Sequence, residues 1–224
     1  MPEHRSEFQQ ELDGIEARII ELFGMLAEDL TQATDALLTG NNDVIKLLAE
    51  REQVIQGLYP EIENLVSRAI LLQAPVASDL RFLLSVLRIV PELERSHSLV
   101  EHIARRADHF LSSDLSPRAR GLVERMGALA SDMWRQATDG WYRRDAAVAE
   151  VLAERDEEMD ELHASLIGEL ASGSMALPVT MEMTLVARFY ERLGDHAVNV
   201  ATRVVYLAGS QPPEQDPEHN SEPN

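Results

Sequence analysis

Four carboxylates in the C-terminal half of the chain are spaced so that they could meet. Asp156 and Asp160 stand four residues apart in RDEEMD (Arg155–Asp160), and Glu191 and Asp195 stand four apart in ERLGD (Glu191–Asp195). At a helical turn of roughly 100° per residue, an i, i+4 pair shares one face. Two like charges so placed destabilise an isolated helix by roughly 0.2–0.5 kcal/mol, which is tolerable on a wet surface and useful if a cation sits between them. Four such groups from two neighbouring helices would form a hard oxygen-donor site for Mg²⁺, Mn²⁺, Ca²⁺ or iron. Asn199, a further four residues on, could extend the site by one turn; His163 and His196 lie nearby in sequence but are not required. One acid pair alone says little in this chain, because Glu3/Glu7, Glu7/Glu11 and Glu154/Glu158 have the same spacing and a solvated face explains them. Gly194 says more. A glycine inside a helix costs about 1 kcal/mol relative to alanine, so the missing side chain lets something approach closely, a ligand or another helix.

The elements that must position these groups are helical. Aromatic residues make up 5% of the chain, β-branched clusters are sparse, and Leu, Ala, Glu and Arg dominate. From residue 6 to 39, Leu12, Ile15, Ile19, Leu22, Phe23, Leu26, Leu30 and Ala33 recur at steps of three and four, which predicts a helix. Gly40-Asn41-Asn42-Asp43 ends it and caps a second helix from Val44 to about Gln73, which Pro60 should kink or interrupt. Ala74-Pro75 breaks the chain before a third helix, Ala77 to His109, where Pro91 removes one backbone hydrogen bond. Leu111–Pro117 is a polar connector in which Asp114 or Ser116 can cap a helix with Pro117 at its first position. Helix four then runs to about Tyr142 and helix five from Asp145 to about Ala171. Gly173 and Pro178 bracket the turn into helix six, whose apolar face reads Leu185, Val186, Phe189, Leu193, Val200, Val204 and Leu207. After Gly209 the tail is rich in Pro, Glu and Asn without apolar periodicity and is expected to be disordered.

The six helices read as two copies of three. Gln32–Glu52 aligns with Gln136–Asp156 at a constant offset of 104, with QATD and LAER identical in both. Glu94-Arg95 answers Glu191-Arg192 at an offset of 97; the slip of seven residues is about two turns and keeps the facing nearly unchanged. The expected architecture is all-α, two tandem, pseudo-symmetric three-helix bundles spanning residues 1–110 and 111–208, with 209–224 as an acidic tail. Antiparallel packing then acts as a ruler. Asp156 lies 18 residues before the turn near Ser174 and Glu191 lies 17 after it, so they should sit at the same height.

Composition narrows the function. With no cysteine, disulfides, thiolate nucleophiles and zinc–thiolate sites are excluded. With 39 acidic residues against 20 basic ones, the formal charge of −19 repels nucleic acid and suits cations or basic patches on protein partners. No apolar run approaches the roughly 18 residues of a membrane span, and the N-terminus carries no signal-peptide pattern, so a cytoplasmic protein is expected.

ERLGDHAVNVA (Glu191–Ala201), RDEEMDELH (Arg155–His163) and PVASDLRFLLSVLRI (Pro75–Ile89), in a duplicated three-helix chain, resemble the PhoU family of phosphate-signalling regulators across residues 7 to 208. The resemblance implies a non-enzymatic, metal-binding adaptor in the cytoplasm. It would act as a homodimer between the ATPase of a phosphate ABC transporter and a sensor histidine kinase, restraining uptake and the phosphate-starvation response. Acid-x-x-x-Asp motifs on both bundles of that family hold metal clusters, which here would be Mg, Mn, Zn or Fe. Asp156, Asp160, Glu191 and Asp195 occupy the motif positions of the second copy. The first copy departs: Glu52 and Glu94 match the leading acids, but Gln56 and Ser98 replace the trailing aspartates, His97-Ser98 replaces Gly-Asp, and His102 replaces the asparagine. Loss of that site is expected over a different ion held by Glu94 and His102. Asp79 and Arg81 read as helix-start and inter-helix contacts.

Two other function classes share this composition. Clustered carboxylates with metals also run phosphoester and oxygen chemistry, making a metal-dependent phosphohydrolase the alternative. The chain offers no phosphate-cradling glycine loop and no obvious nucleophile, and neither Glu158 nor Glu161 begins a Glu-x-x-His of the ferritin-like di-iron kind. A purely structural bundle, with the acids serving solubility, is the third.

Overall fold

A computed structural model describes residues 2–109 and 114–209, and the expectation for the acidic tail lies outside the described residues. Among the described residues six helices account for the fold: α1 (Pro2–Thr39), α2 (Asn42–Gln73), α3 (Ala77–Arg105), α4 (Pro117–Arg143), α5 (Val148–Ala171) and α6 (Leu177–Leu207), with a short 3₁₀ turn at Arg106–His109 after α3. Local chemistry sets their ends. The left-handed Gly40 (φ 73°) turns the chain out of α1, and the Asn41 side chain accepts the Asp43 N–H at 3.1 Å to open α2. The Ser116 hydroxyl accepts the Ala119 N–H at 3.1 Å with Pro117 behind it, so α4 starts where the sequence places it. α5 starts three residues later than expected, at Val148, because Arg144 adopts a left-handed conformation (φ 56°) and the Asp145 carboxylate caps the Ala147 N–H at 3.0 Å. Pro60 and Pro91 stay inside α2 and α3 without ending them; Tyr59, Ile62 and Val66 are buried on either side of Pro60 and hold both halves of α2 on the core.

α1–α3 pack against one another and so do α4–α6, while α1 lies on α4 and α3 lies on α6. The duplication is visible in matched contacts. Gln32 donates to Glu28 at 3.0 Å and Gln136 to Asp132 at 2.6 Å; Arg51 reaches Glu28 at 3.3 Å and Arg155 reaches Asp132 at 3.8 Å. The two copies face each other with an approximate two-fold. Asn199 on α6 approaches Glu92 on α3 at 3.4 Å, and moving each position by 97 turns that pair into Phe189 and His102, whose rings stack at 5.6 Å.

One apolar core runs through both copies. Trp134 and Trp141 of α4 lie 6.1 Å and 6.3 Å from Phe23 of α1, and Trp141 lies 6.1 Å from Phe82 of α3. Between α1 and α4, Gly127 leaves no room for a Cβ against Thr34, whose hydroxyl pairs with the buried Tyr190 hydroxyl at 2.8 Å. α6 is buried more widely than its large apolar residues foretell. Leu185 is 45% exposed, whereas Ala187, Tyr190, Gly194, Ala197 and Ala201 form a second buried stripe, because α6 touches α3, α4 and α5 at once.

Trp141 joins three helices from both copies, so Trp141→Ala is expected to cost about 3–5 kcal/mol, the range for emptying a buried aromatic site. Urea unfolding should show one transition shifted to lower midpoint; an early transition confined to half of the signal would mean that the copies do not share a cooperative core.

Candidate metal centre

The four acids lie along the outer seam between α5 and α6. Asp156 and Asp160 from α5 and Glu191 and Asp195 from α6 act on one another electrostatically, and the effect is largest at Asp156. Burial, with Asp195, Asp160 and Glu191 adding repulsion, lifts the Asp156 carboxyl to about 7. Gly194 makes this closeness possible. A Cβ there would fall 2.7 Å from Asp156 Oδ1, with Met133 and Met159 behind it, so the group that the missing side chain admits is the Asp156 carboxylate itself.

Glu191 is the least satisfied member. Its Oε1 takes the Arg188 guanidinium one turn back, while its Oε2 is buried without a hydrogen-bond partner. Burial and Asp195 push its pKa up, against the pull of Arg188. As they stand, no three acid or imidazole side chains among the described residues converge on one point. The orphaned Oε2 is the feature a cation would fit: a hard ion would satisfy it and relieve the mutual repulsion. Asp156, Asp160, Glu191 and Asp195 are the residues that would hold it, with Glu191 released from Arg188.

The structure does not bring Asn199 into this group. Each four-residue step over-rotates a 3.6-residue helix by about 40°, so Asn199 has turned roughly 80° from Glu191 and donates to Glu92 of α3 instead. His196 faces the same interface: its Nδ1 pairs with the Ser96 hydroxyl at 2.8 Å, and Nε2 lies 3.9 Å from Glu92 Oε2. Burial, the largest influence, lowers its pKa. His163 lies within electrostatic reach of Arg188 and Asp160, at the edge of the quartet.

The first copy is built otherwise. Glu52 and Glu94 are close enough to repel, but Gln56 donates to Glu52 at 3.1 Å, and the Ser98 hydroxyl bonds the backbone carbonyl of Glu94 at 3.2 Å. His102 stacks on Phe189 of α6 and lines a groove of about 400 Å³ with Glu94, Arg95, Ser98 and Arg192. Sequence reading missed Asp29, which is 4% exposed and paired with Arg51. The repeat alignment carried the signal, since Asp29 falls at the position of Met133.

Comparison with known proteins agrees with this architecture. The PhoU domain model matches residues 19–107 and 123–204. A protein of Zymomonas mobilis called a phosphate-specific transport system accessory protein PhoU homolog is 32% identical over 213 residues, 93% of this chain and 90% of that protein. A Mycobacterium leprae protein called PhoU homolog 1 of the same system is 30% identical, over 95% of this chain and 97% of its own. The crystal structure of PhoU from Pseudomonas aeruginosa superposes with a TM-score of 0.83 at 27% identity, covering 89% of this chain and 98% of that one.

Crowding of carboxylates makes the metal-free protein sensitive to pH. An unfolded aspartate ionises near 3.8, whereas folded Asp156 keeps its proton to about 7. Folding therefore takes up a proton between these values, and stability contributed by this group falls as pH rises from about 4 to 7. Asp156→Asn should flatten that slope and raise the melting temperature at pH 7.5 in metal-free buffer, read by circular dichroism. A wild-type melting temperature that does not fall over this range, or an unaltered slope in the variant, would contradict the crowding.

Proposed function

Because the chain belongs to the PhoU domain family, we propose that it is a non-enzymatic regulator of phosphate transport, restraining phosphate uptake and phosphate-starvation signalling. In this reading it is a metal-binding adaptor, acting as a homodimer in the cytoplasm between a phosphate ABC transporter ATPase and a sensor histidine kinase. The observation that carries the reading is the match, over nine-tenths or more of this chain, to proteins called phosphate-specific transport system accessory proteins. The two three-helix units would be its two faces, residues 1–110 and 111–208. Among the described residues no helix is long and apolar enough to cross a membrane, which fits a protein reaching the membrane through its partners.

The quartet is the proposed metal site. Its ion would supply positive charge to Asp156, Asp160, Glu191 and Asp195 and so tie α5 to α6 where their own charges push apart. Asp156 would reach it through the space that Gly194 leaves open, and Arg188 would be freed to face solvent or a partner. A partner able to read this face would see net charge and Arg188 change with metal loading.

If the site is real, Mn²⁺ at a hundred times its dissociation constant should stabilise the fold by about 2.7 kcal/mol, a rise of roughly 5–10 °C in melting temperature for a chain this size. Asp195→Asn should remove that rise and leave metal-free stability equal or better. A shift that survives in the variant would place the ion elsewhere. Immobilised ATPase subunit should retain the wild-type protein, and p-nitrophenyl phosphate with Mn²⁺ should not be turned over. Turnover lost in Asp195→Asn would replace the regulator with a hydrolase.

A further inference from the structure

The two copies place their leading acids at corresponding positions, and Arg188 pairs with Glu191 in the second, yet among the described residues only the first sets a guanidinium against a fully buried carboxylate, Arg51 on Asp29. In the second copy, position 133 is Met, position 194 is Gly, and Asp156 leans into the space above Gly194. In the first copy the corresponding positions are Asp29 and His97, and both side chains point inward and are buried. The His97 imidazole fills the space that a glycine would leave: its Nε2 lies 3.3 Å from the Leu22 carbonyl, and its ring lies 6.3 Å from that of Tyr59. Arg51, the counterpart of Arg155, behaves differently from it. Arg155 spends its guanidinium on Glu158 at 3.1 Å and Asp132 at 3.8 Å, both outside the quartet. Arg51 turns to the buried Asp29 and to Glu28 at 3.3 Å, and its side chain is more sheltered than that of Arg155.

We propose that Arg51 is a built-in counter-ion that replaces the metal ion in the first copy, so that the chain binds metal at the second copy alone. The reasoning is one of donors and charge. Glu52 and Glu94 have lost both trailing carboxylates, to Gln56 and Ser98, and Gln56 occupies Glu52. A hard divalent ion prefers several charged oxygens, and beyond Glu52 and Glu94 the acids acting on Glu52 are Glu101, held by Arg105 at 2.6 Å, and Asp29. Asp29 is committed to a guanidinium that stays charged at every accessible pH, and taking Asp29 for a metal would strand that guanidinium. The two faces of the molecule therefore differ in kind: one changes charge with metal supply, the other is fixed. A partner that contacts both could read the second copy against a constant first copy.

The inference rests on the metal reading of the second copy, and the experiment separates the two. Bound Mn²⁺ is measured after equilibrium dialysis for the wild type, Glu52→Gln/Glu94→Gln and Asp156→Asn/Asp195→Asn, each checked for fold by circular dichroism. The expected result is wild-type stoichiometry in the first variant and none in the second. Loss of part of the bound metal in Glu52→Gln/Glu94→Gln overturns the inference, because the first copy then holds an ion. If the wild type binds no Mn²⁺, the metal reading of the second copy fails. The counter-ion role is then decided by melting alone: Arg51→Met should lower the melting temperature, and Asp29→Met/Arg51→Met should recover most of the loss. Equal melting of Arg51→Met and the wild type, or no recovery in the double variant, overturns it. The double variant also decides the matter should Arg51→Met not fold.

Discussion

Like charges must stay where water or a counter-ion can reach them, and here the packing of α6 decides where that is. α6 touches α3, α4 and α5 and buries Val186, Ala187, Tyr190, Leu193, Gly194, Ala197, Val200 and Ala201 among them. What remains for solvent is a narrow strip that includes Arg188, Arg192, Asp195 and Asn199. Glu191 and Asp195 are therefore held on the seam with α5, beside Asp156 and Asp160, by a helix that cannot rotate away without exposing its small-residue stripe. The repulsion at the seam is a consequence of the core, and the core is strong enough to hold it: Phe23, Trp134, Trp141 and Phe82 join α1, α3 and α4 into one apolar body.

Duplication supplies the scaffold twice, and a few positions make the copies chemically unlike. The surface pairs that frame each site are kept, as in Arg51 with Glu28 and Arg155 with Asp132. The inward positions are not kept. Gly194 against His97 and Met133 against Asp29 exchange an open gap for a neutral, buried imidazole, and a thioether for a buried acid. Burial holds the His97 ring at a pKa of about 4, so it is neutral at ordinary pH and brings no charge to the first copy. Burial lifts Asp29 to about 6 against the pull of Arg51, which leaves it ionised and paired at neutral pH. A guanidinium set against the buried Asp29 inside the fold and a carboxylate cluster on the seam, offset in part by Arg188, are two answers to the same crowding problem.

Much of this was written in the sequence. Apolar spacing gave six helices, and Gly40, Asn41, Ser116 and Pro117 marked ends that local hydrogen bonds enforce whatever the rest of the chain does. The 104-residue repeat and the antiparallel ruler placed Asp156 level with Glu191, because helical rise and a short turn leave little freedom. Gly194 advertised a close approach, since a helix interior loses stability by holding glycine. Tertiary structure decided the rest. Asn199 went to Glu92, because rotation accumulated over eight residues carries it to another neighbour. Leu185 stayed exposed while alanines were buried, because burial follows the number of adjoining helices and not side-chain size. Asp29 became a buried partner of Arg51, a pairing between two helices that no single helix face displays. Periodicity within one helix is local and so is legible in order; which face meets which neighbour depends on all six packing at once.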